Sequence, residues 1–152
     1  MASPKWAYDD FVEGTEIALG PKHVTAEEIV AFASEFDPQP MHLDEAAGKA
    51  SILGGLSASG WHTCAMFMRM LADAFIVDST SQGAPGVDYV KWKRPVLAGD
   101  TLSGRTTVLK RRLSRSRPEL GLVTMRGELL NQRGESVFEF ENTIMFLARS
   151  AA

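Results

Sequence analysis

Asp37 and His42 stand five positions apart in FDPQPMHLD, with Pro38 and Pro40 between them. A carboxylate and an imidazole that converge on one point can hold a water molecule, orient its lone pair and shuttle its protons. Each proline fixes its own backbone torsion and restricts the residue before it, which removes loop freedom that would blur such a geometry. The plainer alternative is that Asp37 caps the turn after a helix and His42 is a polar loop residue. Spacing alone leaves both open. A second element is Ser59-Gly60, at the entry of the most apolar stretch of the chain. Backbone donors at a helix N-terminus lack intrahelical partners and carry partial positive charge, so the Gly60 N–H suits a developing oxyanion, and glycine allows close approach. Here the alternative is that Ser59 is an N-cap and Gly60 a packing residue.

Other chemistries find less support. His23, His42 and His62 form no recognisable ligand cluster with the single cysteine or with one another, so no metal is expected. No dinucleotide or phosphate-loop fingerprint is present, and no cofactor is expected. Cys64 cannot form an internal disulfide, and its setting in WHTCAMFMRML predicts a small buried side chain rather than an exposed nucleophile.

Positioning these groups requires a core, and 152 residues with 45% hydrophobic composition can build one domain over 1–152. A net charge of −3 offers no footprint for nucleic acid. No run approaches the roughly eighteen apolar residues of a membrane span. The N-terminal MASPKWAYDDFVEG lacks a basic segment followed by an apolar stretch, so no secretory signal is read and the cytoplasm is the default.

The first half of the chain has helical spacing and the second half alternates. Residues 15–24 predict a strand. Thr25 and Glu28 predict a capping box, and Ile29, Phe32, Ala33 and Phe36 then fall on one face of a helix that Pro38 ends at Asp37. LDEAAGKAS predicts a short helix with Asp44 near its start, and ILGGLSASG a tight backbone. Residues 61–77 are long enough for a buried helix of more than four turns, on which His62, Arg69 and Asp73 form one polar stripe. VDYVKWKR, TLSGRTTVLKRRL, GLVTMRGELLNQ and SVFEFENTIMFLA predict four strands, with NQRGE as the last turn. In the last strand Phe138, Phe140, Ile144 and Phe146 share one face and Glu139 and Glu141 the other, which describes a sheet covered on one side. An α+β chain whose antiparallel sheet wraps a long buried helix is the hot-dog arrangement.

The segments FDPQPMHLDEAA, GGLSASGWHT and KRPVLAGDTL, in that order, look like the MaoC-like acyl dehydratases, which include the (R)-specific enoyl-CoA hydratases. The similarity covers most of the chain. The family's D-x-N-P-x-H element is matched by Asp37 to His42, with Gln39 where asparagine is common. The resemblance implies a hot-dog dimer that hydrates trans-2-enoyl-CoA reversibly, with Asp37 and His42 gripping the water and the Gly60 N–H receiving the thioester oxygen. It also implies substrate contacts at Gln39, Ser59, Trp61 and His62, the last two where many relatives carry smaller apolar residues. Met68 occupies the position at which some relatives carry a supporting serine, counted without gaps from Gly60. Acyl-CoA substrates would bring phosphates, for which Lys110, Arg111, Arg112, Arg115 and Arg117 form one candidate cluster and Lys91, Lys93 and Arg94 another; a solvated hairpin is the alternative for the first. Besides a hydro-lyase, a hot-dog thioesterase and a non-catalytic acyl-thioester-binding module remain open.

Overall fold

The computed structural model describes residues 2–149. Strand β1 (Glu16–His23) is followed by helices α1 (Ala26–Phe36), α2 (Glu45–Ala50) and α3 (Gly60–Leu71), and then by strands β2 (Val87–Trp92), β3 (Thr101–Leu113), β4 (Leu120–Leu130) and β5 (Ser136–Leu147). The five strands form one antiparallel sheet in the order β1-β3-β4-β5-β2. Helix α3 packs against its inner face, which is the hot-dog fold. No helix among the described residues is long and apolar enough to cross a membrane.

The strand limits follow the alternation in the sequence. Along β5, Phe138, Ile144 and Phe146 are buried while Glu139 and Glu141 face outward to partners on neighbouring strands. Phe67 of α3 meets Phe138 and Phe140 with ring centroids 5.1 Å away in each case. Opposite it lies Gly127, where any Cβ would overlap the Phe67 ring, so the helix approaches the sheet across a residue with no side chain. Beyond Leu71 the helix widens into a π-helical turn, Ala72–Ile76, which delivers Phe75 to a cluster with Trp6 and Phe11, and Phe11 in turn packs on Phe146. Fully burying an aromatic of this size is worth about 1.5–3 kcal/mol, so these rings carry much of the core.

Several local expectations change. The Thr25 hydroxyl accepts from the Glu28 N–H, but the reciprocal half of the capping box does not form, because the Glu28 carboxylate pairs with Lys22 at 2.8 Å. Ile29 and Ala33 are buried as the helical face predicts, yet Phe36 is 66% exposed; its ring meets Phe32 and the last turn of α1 runs beyond further cover. His62 leaves the predicted polar stripe. It is buried and stacks flat on Phe32 at 4.8 Å, while Arg69 and Asp73 stay exposed and pair with each other. Helix α3 is not covered all round, since Trp61 and Met68 remain open on one side. Cys64 is half-buried, and burial pushes its thiol up from the ordinary value.

The outer face of the sheet carries a row of charges. Arg105 of β3 reaches Glu16 of β1 and Glu128 of β4; Lys93, just past β2, reaches Glu128 and Glu139; and the Tyr89 hydroxyl donates to Glu139 at 2.6 Å. That bond, with burial, pushes the Tyr89 phenol up to about 12. A raised phenol favours folding below the unfolded value of about 10, and the contribution is lost as the pH rises through about 12. Ultraviolet titration should therefore show this phenol ionising late, and Glu139→Gln should bring its ionisation down; an unchanged titration would contradict the contact.

Candidate functional site

Three elements converge on one cleft of about 370 Å³, lined among others by Asp37, Gln39, His42, Ser57, Gly60, Trp61, Trp92 and Arg94. Asp37 is the C-cap of α1, where its N–H closes the last turn on the Ala33 carbonyl. Pro38 prevents the helix from continuing. The chain then makes a single 3-10 turn, Pro40–His42, which carries His42 inward until the imidazole is buried. Segment 57–60, stitched to its neighbours by the Ser57 N–H on the Met41 carbonyl and the Ala58 N–H on the Val96 carbonyl, leads into α3.

His42 has a defined tautomer. Its Nδ1 lies 2.6 Å from the Ser57 carbonyl oxygen, and a carbonyl can only accept, so Nδ1 carries the proton. In the neutral ring Nε2 is then an acceptor, and it faces Asp37 Oδ2 at 3.6 Å, too far for a direct hydrogen bond. The Asp37 carboxylate accepts from Ser59 Oγ on Oδ2 and from Gln39 Nε2 on Oδ1, each at 2.7 Å. The Ser59 bond first, then the Gln39 bond, with a smaller contribution from His42, hold this carboxyl below its ordinary value against the opposing effect of burial. Asp37 is therefore ionised at neutral pH.

Gly60 is the first residue of α3, so helix geometry provides its N–H with no intrahelical acceptor. Its carbonyl accepts from Trp92 Nε1 at 2.8 Å, and a Cβ on Gly60 would stand 2.6 Å from the indole ring. Glycine is thus required by a tryptophan from the sheet edge. Trp92 also meets Trp61 edge-on at 5.3 Å.

Asp37, Gln39, His42, Gly60 and Trp61 all line the cleft. Ser59 is fully buried behind it, with its hydroxyl engaged on Asp37 and, more weakly at 3.3 Å, by the Trp61 N–H. His62 lies outside the lining, in its stack on Phe32, where burial holds its imidazole below the ordinary value. Met68 is outside the lining too, on the open side of α3; the hydroxyl that supports the acid comes from Ser59 instead. Lys93 and Arg94 reach the cleft, already paired with Glu139 and Glu135, whereas Lys91 lies over the Tyr89 ring. Of the cluster at 110–117, Lys110, Arg111, Arg112 and Arg115 line other surface hollows, Arg117 pairs with Glu119, and Arg111 is bound to the Tyr8 and Asp9 carbonyls. Among the described residues no group of three or more His, Cys, Asp or Glu side chains is placed to hold a metal ion. Trp92 was invisible to sequence reasoning, because its contact with Gly60 spans 32 positions.

Comparison with known proteins locates similar chains. The sequence model described as "MaoC like domain" matches residues 12–126. A MaoC-like dehydratase from Rhodospirillum rubrum is 39% identical, with a TM-score of 0.84 over 94% of this chain and 97% of that one. A Bacillus subtilis (strain 168) protein described as uncharacterized, YdeM, is 30% identical over 90% of this chain and 96% of its own length. The unliganded R-hydratase PhaJ1 of Pseudomonas aeruginosa shares the fold at 22% identity, with a TM-score of 0.77 over 97% of this chain and 89% of that one.

Proposed function

Because the chain belongs to the MaoC-like domain family, we propose that it is a hydro-lyase that adds water reversibly across the C2–C3 double bond of a trans-2-enoyl thioester. One observation carries this reading: an ionised carboxylate and an imidazole acceptor, 3.6 Å apart, open onto the same cleft as a helix-terminal glycine. Two acceptors at that separation are both satisfied by a water that donates one hydrogen to each. One of its two lone pairs is then aimed at C3. As oxygen bonds to C3, the pair takes up a proton, electrons move through C2 towards the thioester oxygen, and the Gly60 N–H at the positive end of α3 stabilises the enolate. Return of a proton from the pair to C2 completes the addition. Every bond formed or broken is served by the chain's own groups, so the scheme needs no metal and no redox cofactor.

The test is a screen of purified protein against enoyl-CoA substrates of several chain lengths, read as loss of the conjugated-thioester absorbance. Hydration without release of thiol supports the proposal. Free coenzyme A would instead identify a thioesterase, and tight binding with no reaction a binding module.

The same reading entails a homodimer. Strand β2 is an edge strand whose Val87 and Trp92 are open, and the uncovered side of α3 with Trp61 and Met68 adds further apolar surface. An open edge beside exposed aromatics is normally covered by pairing. Light scattering should give about twice 16.6 kDa; a monomer at micromolar concentration would refute this part.

A further inference from the structure

We propose that Ser59 is a positioning residue, whose hydroxyl holds the Asp37 carboxylate in register with the start of α3 so that acid, imidazole and Gly60 N–H act on one substrate. The inference rests on the hydratase reading and adds to it a group that does not touch substrate. Ser59 is fully buried, 22 positions from Asp37, and its Oγ lies 2.7 Å from Oδ2. That is the same carboxylate oxygen that faces His42 Nε2. Gln39 occupies the other oxygen from within the loop, so Ser59 is what ties the carboxylate to a rigid element.

The surrounding segment shows why this matters. The carbonyl of Ser57 fixes the His42 tautomer, the hydroxyl of Ser59 fixes Asp37, and the next amide belongs to Gly60. Four consecutive residues thus set the relative places of all three working groups, and the Ser59 carbonyl is itself held as acceptor of the Thr63 N–H at 3.0 Å. Rigid support of this kind decides catalytic geometry, where an error near 1 Å costs on the order of 10²-fold.

A helix cap alone does not account for the contact. As a cap, Ser59 Oγ accepts from the Trp61 N–H at 3.3 Å, the longer of its two bonds. Capping uses a lone pair on the oxygen, whereas the bond to Asp37 uses the proton. The hydroxyl supplies both at once, and only the second acts on the reaction. Because that donor is also the main influence lowering the Asp37 carboxyl, its loss must raise the pH at which Asp37 gains a proton.

Ser59→Gly separates the two roles, since glycine at an N-cap costs a helix only a few tenths of a kcal/mol relative to serine. Ser59→Thr keeps the hydroxyl. The other polar groups at the cleft, the His42 imidazole and the Lys93 and Arg94 cations, are unchanged in both variants. Ser59→Gly should lower kcat roughly 10- to 100-fold with KM little altered, the scale of one hydrogen bond to a charged group. The acid limb of kcat/KM should move to higher pH, and Ser59→Thr should restore it. In parallel, the Asp37 carboxyl carbon titrated by 13C NMR should move to higher pH in Ser59→Gly but not in Ser59→Thr. A folded Ser59→Gly protein whose Asp37 titrates like the parent would overturn the proposal. A parent that hydrates no enoyl thioester would overturn the hydratase reading instead, and the carboxyl titration would still decide whether Ser59 governs Asp37.

Discussion

On the proposed hydratase reading, Asp37→Asn will lower the turnover of enoyl-thioester hydration by roughly 10²–10⁴-fold, the usual contribution of a positioned acid or base. The exchange is close to isosteric, and the amide oxygen can still accept one of the two hydrogen bonds that Ser59 and Gln39 donate. What disappears is the ionised acceptor. In the parent, folding favours the ionised form, because the carboxyl sits below its ordinary value. This part of the stability, and with it the proposed activity, is therefore present at neutral pH and is lost only as the pH falls through the depressed folded value. His42→Ala should be as damaging to turnover, but it will not be silent for the fold. His42 is buried, and removing it strands the Ser57 carbonyl without its donor, at about 1–3 kcal/mol. The double variant should be scarcely worse than the singles if, as proposed, both grip one water. Near-parental turnover in a folded Asp37→Asn protein would remove the carboxylate from the mechanism.

Gly60→Ala is expected to cost on the order of 10² in turnover without a matching loss of stability. Alanine is the better helix former, and the α3 start itself would tolerate it. The new methyl, however, would stand 2.6 Å from Trp92, whose indole must swing away and give up its bond to the Gly60 carbonyl. Trp92 is 46% exposed, so its ring can turn towards solvent rather than into the core, and the damage falls on the shape of the cleft. A changed tryptophan emission should accompany the lost activity, and adding Trp92→Ala should recover part of the turnover. Gly60→Pro, the direct way to delete the N–H, brings its own Cβ into the same space and is informative only in the Trp92→Ala background. Full activity in Gly60→Ala with unaltered emission would show that the indole does not shape the site.

The legible parts of the molecule were those governed by local rules. Strand β3 begins and ends where the alternation does, at Thr101 and Leu113, and α1 starts at its threonine cap and stops before Pro38. The pairing of Asp37 with His42 across one loop could be posed from spacing and from the family likeness. The remainder depends on partners distant in sequence. Periodicity puts Phe36 on a buried face but cannot say that cover ends one turn earlier. It marks His62 as polar but cannot reveal the flat ring of Phe32 that receives it. Glu28 had a backbone partner available and took Lys22, a competition that only the path of β1 decides. Ser59 was expected at the substrate and Trp92 was not anticipated, because each is defined by a contact more than twenty positions away.

The charged row on the outer face has a consequence for how the chain finds its pairing. Inward and outward residues alternate with a period of two, so a strand that slips by two residues still buries its apolar side, and the core offers weak objection. The row objects. In the native pairing Glu128 stands opposite Glu139 and Arg126 opposite Glu141, with Lys93 bridging the two facing acids. A slip that instead brought Glu128 against Glu141 would take Arg126 away from its acid and leave the bridging lysine misaligned. Exposed pairs such as these add little to stability, roughly 0–1 kcal/mol each. Their value lies in error-checking: the row distinguishes frames that alternation alone cannot, because its charges match only when the strands are in their proper register.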